Sequence, residues 1–163
     1  MAVSDRRMSA HATELIAEAR TRLADAPRER LGEWSGRRRV LGIGRARRIV
    51  PVGEAWHLGV LLIGPEGVAA TGQVVRARAE AIRGYTAESQ RARAAIAAAA
   101  RRGGFAEGET LHLCWEPVDL DAVDAGGSSG PLSMVSGIPQ IRWSTDGGIR
   151  PLSDYLEEQL ALR

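Results

Sequence analysis

The sequence predicts an α+β fold, with one mostly antiparallel five-to-six-stranded sheet and helices packed on one side. Three observations carry that expectation. Helical periodicity appears near the N-terminus, after the middle and at the C-terminus; β-rich runs fall between these segments; and tight-turn chemistry joins consecutive runs. The 163 residues, 44% hydrophobic and 26% charged, suit a single domain over 1–163, with an N-terminal helix at about 8–26 and the sheet and remaining helices within 37–163.

Met8, Ala12, Leu15, Ile16, Ala19 and Leu23 recur at helical spacing, and Pro27 ends the run. Pro27 to Glu33 is expected to add a short helical turn capped by Asp25, before a loop at Gly32, Ser35 and Gly36. Short strands follow at Arg39–Ile43 and Arg48–Val52, punctuated by Gly42, Gly44 and Pro51. Ala55–Ile63 is a strongly apolar central strand, which Gly64-Pro65-Glu66-Gly67 turns back into a partner strand at Val68–Ala77.

Thr86 is the expected N-cap of a helix over Ala87–Arg102. Gly103-Gly104 supplies a left-handed C-cap, and Phe105 folds back on the last turn. Thr110–Glu116 alternates as a strand, with Leu111, Leu113 and Trp115 on one face and His112, Cys114 and Glu116 on the other. Asp119–Ser136 is expected to be a loop, Ile138–Ser144 a strand and Asp146-Gly147-Gly148 a turn. A final helix capped by Ser153 buries Leu152, Tyr155, Leu156 and Leu160. Four of the seven aromatic residues are Trp, at 34, 56, 115 and 143, and each is expected to anchor packing.

The single Cys114 cannot close an internal disulfide, so a reducing, cytoplasmic setting is expected. The most apolar stretch, Leu58–Ile63, falls far short of the roughly 20 residues of a membrane helix, and no membrane partner is expected. All 22 basic residues are arginine, a bias that high genomic G+C content explains as readily as function does. Their placement is uneven. Residues 1–105 hold 19 Arg against 10 acids (+9), and 106–163 hold 3 against 10 (−7), which points to an anionic partner or to a homo-oligomer held by charge complementarity.

Three constellations bear on chemistry. A thiol at Cys114 beside the His112 imidazole and the Glu116 carboxylate has the residue types of a nucleophilic site. However, i and i+2 side chains of a strand run parallel, about 7 Å apart, and no nucleophile elbow is present. In the alternative, Cys114 is a small apolar filler beneath a helix. Arg37, Arg38, Arg39, Arg45, Arg47 and Arg48, with Trp34 and Trp56 near in sequence, form a basic cluster able to hold a phosphate backbone, although charge also serves to blunt strand edges.

Metal and cofactor motifs do not complete. There is no Cys-x-x-Cys or His-Glu-x-x-His, and the run Glu116, Asp119, Asp121, Asp124 breaks the calcium-loop pattern at Val123. Gly42-Ile43-Gly44 has Arg47 where a third glycine belongs, and the Gly126–Gly130 loop lacks a P-loop lysine. No metal and no cofactor is expected.

The stretches AWHLGVLLIGPEGVAATGQVVRAR and YTAESQRARAAIAAAARRGGFAEGETLHL resemble a set of short uncharacterised bacterial proteins, some labelled "glutaminase". The resemblance spans about residues 37–163. It would imply amide hydrolysis, yet the chain has neither the Ser-x-x-Lys of serine glutaminases nor the Gly-x-Cys-x-Gly of cysteine amidotransferases, so no catalytic residue carries over. The sequence thus favours a non-catalytic binding or self-associating module. Its alternatives are an amidohydrolase using Cys114 and a nucleic-acid or phosphate binder using the Arg37–Arg48 cluster.

Overall fold

The computed structural model describes residues 11–36, 46–80 and 87–163. The chain divides into two compact units, the first of residues 1–28, 55–71 and 115–163, and the second of residues 29–54 and 72–114.

In the first unit, α1 (Ala12–Arg22) buries Ala12, Ile16 and Ala19, the stripe its spacing foretold. The helix is three turns, shorter than the expected segment. Its Arg20 side chain donates to the carbonyls of Gly64 (2.9 Å) and Gly67 (3.2 Å), tying the helix to the expected turn. That turn joins β3 (Leu61–Ile63) to β4 (Val68–Ala70) as an antiparallel hairpin. Residues 119–136, expected to be a loop, instead hold α3 (Leu120–Asp124), β8 (Ser128–Ser129) and β9 (Leu132–Val135). Asp119 starts α3 by accepting the Ala122 N–H at 3.0 Å. With β10 (Ile138–Arg142) and β11 (Ile149–Pro151), β8 and β9 form a four-stranded antiparallel sheet of order β11-β10-β9-β8. The closing helix α4 (Leu152–Ala161) begins after Pro151 rather than on a Ser153 cap, and buries Leu152, Tyr155 and Leu156. Ile16, Leu23, Trp56, Leu61, Ile63, Leu132, Ile141 and Tyr155 meet in this unit's core.

The second unit contains β1 (Glu29–Ser35), β5 (Gln73–Arg76), the helix α2 (Glu88–Gly103) and β6 (Thr110–Leu113). Residues Pro27–Glu33 do not form a helical turn, because β1 pairs parallel with β6, Arg30 opposite Leu111 and Leu31 opposite His112. Tertiary pairing overrides a weak local preference. The core is Ile49, Val75, Phe105, Leu111 and Leu113 under the Ala99–Ala100 surface of α2, and Gly104 (φ +109) caps that helix as expected. Phe105 does fold back, its N–H reaching Ala100 O at 3.2 Å. The proposed strand Arg39–Ile43 and the Thr86 cap lie outside the described residues.

The single mostly antiparallel five-to-six-stranded sheet is therefore corrected. One ladder is mixed and has seven strands, β5-β6-β1-β2-β3-β4-β7, where β2 is Arg48–Leu58 and β7 is Glu116–Pro117; the four-stranded sheet is separate. Two local facts escaped the pattern. β2 and β3 are parted by a turn at Gly59 (φ +58), inside what read as one strand. And Val68–Ala77 breaks between β4 and β5, because β5 pairs with β6 rather than extending the hairpin. Gly72 sits at that break, where a Cβ would lie 2.1 Å from the Cys114 carbonyl oxygen.

Candidate anion-binding groove

The expected strand face His112–Cys114–Glu116 does not exist as a face. β6 ends at Leu113, and Cys114 has φ +57, a left-handed conformation that breaks the alternation. Glu116 follows in β7 and is exposed, and Cys114 is an exposed free thiol rather than an apolar filler. His112, in contrast, is fully buried. Its Nε2 pairs with the Glu29 carboxylate, carried by β1, the parallel neighbour of β6. The carboxylate that meets the imidazole thus lies 83 residues away in sequence. A non-local parallel pairing of this kind has no local signature, and Glu29 was missed for that reason.

The acidic run is engaged in structure. Asp124 accepts hydrogen bonds from Ala12 N (2.6 Å), Thr13 N (3.1 Å) and Thr13 Oγ1 (2.6 Å), closing the N-terminus of α1. Burial opposes ionisation of Asp124, but the Thr13 hydroxyl, the two amides and nearby His11 outweigh it and hold its pKa below the ordinary value.

Of the basic cluster, Arg37, Arg38, Arg39 and Arg45 lie outside the described residues. Arg48 opens β2 and is exposed. The Arg47 guanidinium lies over the Trp34 ring, 4.6 Å from its centroid, a cation–π contact that already occupies one face of that indole. Trp56 alone of the four tryptophans is a buried anchor, its Nε1 donating to Ala26 O at 3.0 Å; Trp34 and Trp143 are exposed.

A different set of arginines lines a groove within the second unit. This groove of about 410 Å³ runs between β5 and α2, lined by Gln73, Val74, Val75 and Arg76, then Arg78, and by Arg93, Ala94, Ile96 and Ala97 of the helix. Its size is that of a ligand cleft. Three arginines are among its lining residues, and no acid is among the described residues that line it. Two other arginines of this unit are paired, Arg30 with Glu109 (3.6 Å) and Glu54 (4.0 Å) and Arg101 with Glu107 (3.2 Å). No acid among the described residues lies within ion-pair distance of Arg76, Arg78 or Arg93. Arg76 and Arg78 flank buried Ala77 and are exposed, and Arg93 is exposed in the first half of α2. The floor is apolar, with Val75 buried and Ile96 half-buried.

The sequence polarity survives folding, somewhat reduced. The second unit carries 14 Arg against 7 acids (+7), and the first carries 8 against 13 (−5), again summing to +2. No helix among the described residues is long and apolar enough to cross a membrane. Comparison with known proteins gives no match to a family model, to a curated protein or to a solved structure.

Proposed function

We propose that this protein is a non-catalytic binding module whose second unit takes an anionic partner in the groove between β5 and α2. The carrying observation is that Arg76, Arg78 and Arg93 line one cleft, with no acid among its described lining residues. Clustered like charges repel and cost stability unless something offsets them, and a bound anion does so. The net +7 of the unit steers such a partner from a distance.

The two other readings find less support. In the amidohydrolase reading, Cys114 needs a base; the nearest histidine in sequence is buried against Glu29, and Cys114 itself stands at an exposed bend. Phosphate binding by the Arg37–Arg48 cluster has to contend with Arg47 already stacked on Trp34.

The test titrates fluorescein-labelled polyglutamate into the full chain at low and moderate salt, beside the R76E/R93E variant. Binding should weaken with salt and fall at least about tenfold on charge reversal. Affinity unchanged by the reversal would remove the groove from the account.

A further inference from the structure

Which anion fits the groove follows from how its walls are built, and the inference rests on the binding reading above. β5 stands at one end of the strand order, so among the described residues one of its edges has no neighbouring strand. Its inner edge pairs with β6, Gln73 opposite Leu113, Val74 opposite His112, Val75 opposite Leu111 and Arg76 opposite Thr110. Just beyond, the Ala77 N–H donates to Glu109 O (2.9 Å), whereas the Arg78 N–H turns outward and donates to Ala97 O of α2 (3.2 Å).

In an antiparallel pair, alternate residues bond the neighbouring strand. Counting back from Ala77, Val75 and Gln73 bond β6, while Val74 and Arg76 turn their N–H and C=O groups away from it, as Arg78 does. The groove is lined by four consecutive residues of β5. Consecutive strand side chains point to opposite faces, so only a groove running along the strand's edge touches all four. The opposite wall is one face of α2, whose Ala94 and Ala97 leave room for a chain to approach.

We infer that the groove takes an extended, acidic polypeptide segment of another protein, which adds as a strand along the open edge of β5. Its backbone bonds the outward N–H and C=O groups of Val74 and Arg76, and its carboxylates meet Arg76, Arg78 and Arg93. Nucleic acid fits less well. A phosphate backbone offers acceptors alone, leaving the outward carbonyls unmatched, and no aromatic residue is among the described residues that line the groove. A second copy of this chain fits less well too. In its acidic stretch, Glu116 and Pro117 are paired with Ala70 and Ala69, Asp119 starts α3, and Asp124 closes α1.

The test measures three probes against the full chain: an octapeptide alternating Glu and Thr, the same peptide N-methylated at every backbone nitrogen, and a single-stranded oligonucleotide of equal charge. The inference requires that the parent peptide bind at least about tenfold more tightly than the other two, and that it slow amide hydrogen exchange at Val74 and Arg76. Equal binding of the N-methylated peptide, or unslowed exchange at those two amides, overturns strand addition and leaves the anion reading standing. Equal or tighter binding of the oligonucleotide overturns the polypeptide assignment. Binding by none of the three overturns the anion reading as well.

Discussion

Asp124 shows what a single side chain contributes here. It sits in a segment whose sequence reads as a solvated acidic loop, yet its carboxylate takes two backbone amides and a hydroxyl at the start of α1. Replacing it with Ala leaves the amides of Ala12 and Thr13 without that partner, and should cost about 1–3 kcal/mol in urea denaturation at pH 7. The pH dependence has a definite sign. Because the folded-state pKa lies below the ordinary value of 3.8, the ionised carboxylate stabilises the fold above that value, and the contribution disappears as pH falls through the folded pKa. The difference between wild type and Asp124→Ala should therefore shrink in acid.

Tyr155 is the counterpart at the other end of the pH scale. Its buried hydroxyl donates to Leu58 O and accepts from Val60 N, both at 2.8 Å, locking the turn between β2 and β3. Burial, only partly countered by the Val60 hydrogen bond and Arg150, raises its pKa above 10.0. Its contribution is thus complete below pH 10 and declines above it. Tyr155→Phe should destabilise by about 1–3 kcal/mol in the same assay, since both backbone groups lose their partner.

Among elements, the sequence disclosed what is local and hid what is not. The alanine-rich helix α2, its glycine C-cap and the turn at 64–67 depend on neighbours in the chain, and all were legible. β1 was not, because its strand character comes from a parallel partner some 80 residues on, Arg30 against Leu111. The groove was hidden for the same reason. Arg76 falls in the expected hairpin strand Val68–Ala77, Arg78 one residue past its end, and Arg93 in the expected helix Ala87–Arg102; neither the strand nor the helix signals that they line one groove. Even the Cys114 site misled through a local rule, since strand alternation was extended to Glu116, three residues past the end of β6 at Leu113. The close approach of α2 to β2 makes a testable contrast. A Cβ on Gly103 would lie 1.5 Å from Ile49 O, so Gly103→Ala should destabilise by about 3 kcal/mol or more. Gly67→Ala meets nothing within 4 Å and should change thermal stability by less than about 1 kcal/mol.

Across the whole molecule, the feature that ties sequence to proposed function is charge. A split seen along the chain becomes a split between two folded units, +7 and −5, even though each unit is assembled from separated stretches of sequence. The basic unit also holds a cleft lined by three arginines with no ion-pair partner among the described residues. The most direct measurement is an amide chemical-shift map of the full chain during titration with polyglutamate. The account predicts perturbations centred on Gln73–Arg78 and on Arg93–Ala97, diminishing as salt is added. Perturbations centred instead on Arg47 and Arg48, or spread over the acidic unit, would contradict it.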